Sequence, residues 1–114
     1  MGDLKEFVLL LRLPKDDLKN DEQYILLNQQ WKKFIALIAS QVKLNSFSNL
    51  KYDGVLIKGD SIIEHKNCLE EGLFVAGTLI MKSETIEDVI LIAKKCPVLL
   101  TGGTVEIRQT TPIS

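Results

Sequence analysis

The sequence predicts an α+β fold in which two helices cover one face of an antiparallel sheet. Three observations carry that expectation. Two long aliphatic segments, Phe7-Val8-Leu9-Leu10-Leu11 and Leu73-Phe74-Val75-Ala76-Gly77-Thr78-Leu79-Ile80, read as central strands. Two amphipathic stretches, from Asp21 to about Lys43 and from Ser83 to about Cys96, repeat apolar residues at helical spacing. The order along the chain is strand, helix, hairpin strands, strand, helix, strand, which reads as the βαββαβ pattern of a ferredoxin-like domain with one strand more than that pattern needs.

The first strand runs from Glu6 to Arg12 and is stopped by Pro14, after which Lys15 to Asn20 forms a charged loop. Asp21 is placed to cap the first helix, whose apolar face holds Tyr24, Leu27, Trp31, Phe34, Ile35, Ile38 and Val42. Gln23, Gln29, Gln30, Lys32, Lys33 and Gln41 occupy much of the opposite side. Leu44 to Lys51 is rich in Asn and Ser and reads as a loop. Val55-Leu56-Ile57 and Ser61 to Lys66 read as hairpin strands joined at Lys58-Gly59-Asp60. Gly77, inside the next strand, marks a bulge or a close backbone approach. Ser83 is placed to cap the second helix, with Glu84, Glu87 and Asp88 at its positive end. Its buried stripe is expected at Ile86, Val89, Ile90 and Ala93, and Pro97 ends it. A Gly102-Gly103 turn leads into Thr104 to Gln109, where Val105 and Ile107 alternate with Glu106 and Arg108.

At 114 residues the chain is expected to form one domain over 1–114. Hydrophobic residues make up 46% and aromatics 6%, so the core must be aliphatic. The balance of 14 basic against 15 acidic residues offers no general electrostatic attraction for nucleic acid. Only Phe7 and Phe74 put aromatics on the two main strands, a poor stacking platform for RNA. No nucleic-acid partner is therefore expected. The segment Met1 to Phe7 does not read as a signal peptide, and no apolar run approaches the ~20 residues that cross a bilayer. A cytoplasmic protein with reduced Cys68 and Cys96, and without membrane contact, is the expectation. One histidine and two separated cysteines spell no zinc spacing, so neither metal nor cofactor is expected. Both faces of the long strands are aliphatic, yet the two helices cover only one. The expected solution is a homodimer through the free sheet face.

The segment Ile92-Ala93-Lys94-Lys95-Cys96-Pro97-Val98-Leu99, followed by Gly102-Gly103-Thr104-Val105-Glu106-Ile107-Arg108, resembles the YCII-related family and its DGPF-domain branch. Lys5-Glu6-Phe7 leading into Leu10-Leu11-Arg12, and Trp31 in the first helix, add to the likeness, which spans about Lys5 to Arg108. The resemblance implies a dimeric α+β barrel. The segment that names the branch is replaced: Gly59, Asp60, Ser61 and Ile62 stand where it has Asp-Gly-Pro-Phe, although Glu64-His65-Lys66 keeps the following Glu-x-Lys.

Two groups of residues are candidates for chemistry. His65 is a candidate general base, with Glu64 beside it, although neighbours on a strand point to opposite faces. Its alternative is a surface histidine. Glu64 and Lys66 share one strand face, and Glu106 and Arg108 share another. Should these meet, Arg108, Lys66, Glu106 and Arg12 would line a cleft in which a planar guanidinium holds a carboxylate or phosphate. The alternative is a screened ladder of surface ion pairs. Cys96 reads as a small core residue. The function expected is binding of a small anionic ligand near the altered segment, whether or not the site is catalytic. The alternative is a non-enzymatic dimeric regulatory or interaction module.

Overall fold

The computed structural model describes residues 4–14, 21–41, 44–50, 54–65 and 72–112. The expectations for Lys66, Cys68, Val42 and the loop of residues 15–20 lie outside them. The chain is α+β. Its elements are β1 (Lys5–Pro14), α1 (Asp21–Ser40), β2 (Leu44–Asn49), β3 (Gly54–Lys58), β4 (Ser61–His65), β5 (Leu73–Ser83), α2 (Ile86–Ala93) and β6 (Thr104–Gln109). Four strands form one antiparallel sheet in the order β2-β5-β1-β6, an order compatible with a ferredoxin-like fold.

The two strongest apolar segments occupy the sheet centre, where burial is greatest. Along β1 the side chains alternate strictly. Phe7, Leu9, Leu11 and Leu13 are buried, and Val8, Leu10 and Arg12 between them are half-buried. The buried set packs with Leu79 and Met81 of β5, Trp31, Phe34 and Ile38 of α1, and Val89, Ile92 and Ala93 of α2. Both helices thus serve the same sheet face. The opposite face, with Val8, Leu10, Thr78, Ile80, Glu106 and Arg108, carries no helix.

Two parts of the sheet differ from expectation. Leu44–Asn49, which reads as a loop, is the edge strand beside β5. Ser46 and Ser48 lie on exposed positions, and Phe47 is half-buried against Trp31, with ring centroids 5.3 Å apart. One anchored aromatic and pairing to β5 suffice for an edge strand that local propensity would place in a turn. Conversely, the hairpin β3–β4 forms a separate two-stranded sheet and is no part of the main one. Its turn is as expected, with Gly59 at φ +61° between paired Lys58 and Ser61. The hairpin is inserted between β2 and β5 at the sheet end where β1 finishes, since Asn49 pairs with Gly77 and Leu73 with Pro14.

The second helix begins later than the sequence suggests. Thr85, not Ser83, is the cap, and its Oγ1 accepts from the Asp88 amide at 3.3 Å. Ser83 is the last residue of β5 and is buried. The buried stripe differs as well: Val89, Ile92 and Ala93 are buried, whereas Ile86 and Ile90 are exposed. The first helix stops at Ser40, short of Lys43, where the Ser40 hydroxyl donates to the Leu37 carbonyl at 2.7 Å. Pro97 opens a 3-10 turn, Pro97–Thr101, that carries the chain back to β6.

Gly77 combines both readings of a strand glycine. The register of β1 on β5 shifts so that Leu11 faces Gly77 and Arg12 faces Val75, leaving Ala76 as the extra residue. A Cβ on Gly77 would stand 3.0 Å from the Ser48 carbonyl oxygen of β2. No helix among the described residues is long and apolar enough to cross a membrane.

Candidate functional site: a guanidinium–carboxylate cluster on the open sheet face

The pairing of β1 with β6 places Arg12 opposite Thr104, Leu10 opposite Glu106 and Val8 opposite Arg108. Residues opposite one another in a ladder share a face, so Arg12, Glu106 and Arg108 all stand on the face without helices. Arg12 Nη1 donates to Glu106 Oε1 at 2.8 Å, and Arg108 Nη1 donates to Glu106 Oε2 at 3.2 Å. One carboxylate therefore bridges two guanidinium groups, one oxygen to each. Side-chain exposure grades from 17% at Arg12 through 38% at Glu106 to 72% at Arg108. The inner arginine is held against the sheet, and the outer one projects into solvent with most of its five donors unengaged by Glu106.

The hydrogen bond from Arg12, then that from Arg108, holds the Glu106 carboxyl below its ordinary value. A carboxyl that is more acidic in the folded protein contributes stability above its unfolded pKa, and that contribution is lost as the pH falls below about 4.5 and through the folded value. Glu106→Gln is expected to lower the melting temperature at neutral pH. The wild-type and variant curves should converge on acidification. Parallel curves down to the acid limit would show that Glu106 is not coupled to the two arginines in solution.

Of the expected site residues, the structure brings together Arg12, Glu106 and Arg108. Glu64 and His65 lie on β4, where Glu64 pairs with Val55 and His65 with Gly54. That strand belongs to the hairpin, so the Glu64 and Glu106 faces are not faces of one sheet. The Arg12–Glu106 contact is diagonal across the ladder, and the strand register needed to find it is absent from a linear reading.

Cys96 is buried and free, in the core cluster between α2 and the 3-10 turn. Burial pushes its thiol up to about 11, against a smaller lowering by the backbone at Val98. It is a packing residue, as its place before Pro97 suggests. Because the folded pKa is raised, the stability tied to the neutral thiol is complete below pH 9 and is lost as the pH rises through about 11. Cys96→Ala should flatten the alkaline limb of a stability profile. Thiol reagents at pH 8 should label the wild-type residue only on unfolding, and rapid labelling of the native protein would contradict its burial.

Phe7 and Phe74 are both buried in the core, so neither lies on the open face as a stacking surface. Among the described residues no group of three or more His, Cys, Asp and Glu is placed to hold a metal ion. No protein-family model and no curated protein matches the chain.

Proposed function

We propose that the protein is a homodimer of YCII-like, DGPF-branch type that binds a small anionic ligand on its open sheet face, with Arg108 as the primary anchor. The observation that carries this reading is the Arg12–Glu106–Arg108 cluster itself. Glu106 accepts one hydrogen bond from the outer guanidinium, whose other donors stand at a 72% exposed position. Arg12 backs the same carboxylate, so the arrangement carries two positive charges against one negative.

The dimer supplies the walls that such a site lacks in one chain. The Cα extents of 46 × 42 × 20 Å fit one sheet layer and one helix layer, with Val8, Leu10 and Ile80 on the uncovered side. A second copy laid sheet to sheet would bury these residues and enclose the arginines, as in a dimeric α+β barrel. The hairpin that carries the altered segment is inserted in the chain between β2 and β5, at the end of the sheet where Arg12 stands.

Two measurements test the proposal. Sedimentation at micromolar concentration should give a dimer for the wild type and a monomer for Leu10→Lys, with a cooperative melt retained. A thermal-shift screen of phosphates and small carboxylates should find a stabiliser whose effect disappears in Arg108→Ala. A wild-type monomer overturns the barrel. A dimer without any anion response that depends on Arg108 favours the non-enzymatic interaction module instead.

A further inference from the structure

A second surface lies on the helix layer, away from the arginine cluster. Gln30, Lys33, Phe34 and Leu37 of α1 follow at steps of three, one and three, so they form one stripe along two helical turns, ~10 Å of axis. This stripe is one wall of an open groove of about 260 Å³, and Lys95, Pro97 and Leu100 form the other. Pro97 and Leu100 are three apart in a 3-10 turn and therefore stand on one side of it. The floor is apolar: Phe34 and Pro97 are buried, and Leu37 is half-buried. Leu100 projects from the rim at 75% exposure, the most exposed large apolar side chain of the described residues.

The charge pattern indicates what would lie there. One lysine stands on each wall, and no described residue lining the groove is acidic. Neither Lys33 nor Lys95 meets a carboxylate within salt-bridge distance among the described residues. The whole chain carries a net charge of −1, so this local excess is not a reflection of a basic protein. The volume falls below the ~300–1,000 Å³ usual for small-molecule pockets, and the groove is open along its length. Such a shape receives one or two side chains of a segment lying across it, rather than enclosing a ligand.

We propose that the α1–Pro97 groove docks an acidic amphipathic segment of a partner protein, with a bulky apolar residue seated between Phe34, Leu37 and Leu100 and carboxylates meeting Lys33 and Lys95. The occupant is set by charge complementarity across an apolar floor, and the surface is independent of the anion site on the sheet.

The probe is a fluorescein-labelled 15-residue peptide with Leu at positions i, i+3, i+4 and i+7 and Glu elsewhere, read by fluorescence polarisation. Binding to the full chain should weaken tenfold or more with Leu100→Glu, and equally with the pair Lys33→Glu and Lys95→Glu. It should also fall with added salt. A Lys-for-Glu peptide should bind the charge-reversed pair and not the wild type. The altered side chains at 33, 95 and 100 are exposed, and unchanged melting of the variants checks that they fold. Equal binding by a scrambled peptide, indifference to these substitutions, or no binding overturns the proposal. So does binding of the anionic dye 1-anilinonaphthalene-8-sulfonate that depends on Leu100 and the lysines when the peptide does not bind, because that marks a small-amphiphile site.

Discussion

Gly103→Ala is expected to destabilise the protein by about 3 kcal/mol or more, the upper range for forcing extra volume into a packed position. Glycine is required there by space, because its backbone conformation is open to any residue. A Cβ at 103 would collide with the Arg12 carbonyl oxygen and stand 2.8 Å from that of Val98. Both are backbone atoms, so neither can rotate away as a side chain would. The same residue donates its amide to the Val98 carbonyl at 2.8 Å, which locks the end of the 3-10 turn against β6. Relief would require the turn to separate from β1 and would drag Arg12 out of register with Thr104. The melting temperature should fall by roughly 10 °C, taking ~4 °C per kcal/mol for a chain of this size.

Two other glycines calibrate this result. Gly102 lies at φ +83°, and alanine there should cost about 1–2 kcal/mol for the left-handed conformation. At Gly54 a Cβ would meet nothing within 4 Å and the backbone is ordinary, so Gly54→Ala should be close to neutral. Similar melting of Gly103→Ala and Gly54→Ala would mean that the turn does not press on β1 as described. An effect on ligand response beyond the loss of stability is also expected for Gly103→Ala, because Arg12 supports Glu106 and thereby Arg108.

How far the sequence discloses this fold depends on the reach of the interactions that decide each element. β1 and β5 are long aliphatic segments whose identity is local, and the helices have a local periodicity. The four-stranded sheet is compatible with the βαββαβ order because those elements are its frame. The element whose sequence misleads is β2, since Leu44-Asn45-Ser46-Phe47-Ser48-Asn49 has turn-forming composition and holds Phe47 as its one aromatic residue. Its strand character comes from pairing with residues some thirty positions later. The hairpin misleads in the other direction. Its alternation and its turn are correct, but nothing local distinguishes a strand of the main sheet from one set apart. The start of α2 moves for a similar reason. Ser83 and Thr85 both carry a hydroxyl that can cap a helix, and the length of β5 decides between them. For the site, Glu106 and Arg108 share a face by simple alternation, whereas their meeting with Arg12 requires the register of β1 on β6.

The second large effect is expected at Trp31, which links α1 to that edge strand. Its ring lies 6.1 Å from Phe34 at 69°, an edge-to-face contact, and 5.3 Å from Phe47 at 40°. It is therefore the aromatic bridge between the helix and the edge strand. Trp31→Ala should cost about 3–5 kcal/mol, the usual range for removing a large buried ring. That is a large part of the ~5–15 kcal/mol that holds a domain of this kind together. The loss should also be uneven. The β1–β5 pairing keeps its own buried leucines, so amide exchange at Leu9, Leu11 and Leu79 should follow global stability. Amides of Ser46 to Asn49 should lose protection first, because Phe47 no longer has a ring to pack on. Trp31→Phe should restore part of the stability and most of the β2 protection by keeping an aromatic surface against Phe47. Urea unfolding with site-resolved hydrogen exchange measures both quantities. Loss of stability under about 1 kcal/mol, or uniform loss of protection across β2 and β1, would mean that the edge strand is held by its backbone ladder alone. In that case the bridge from Trp31 to Phe47 would be a contact without consequence for the sheet.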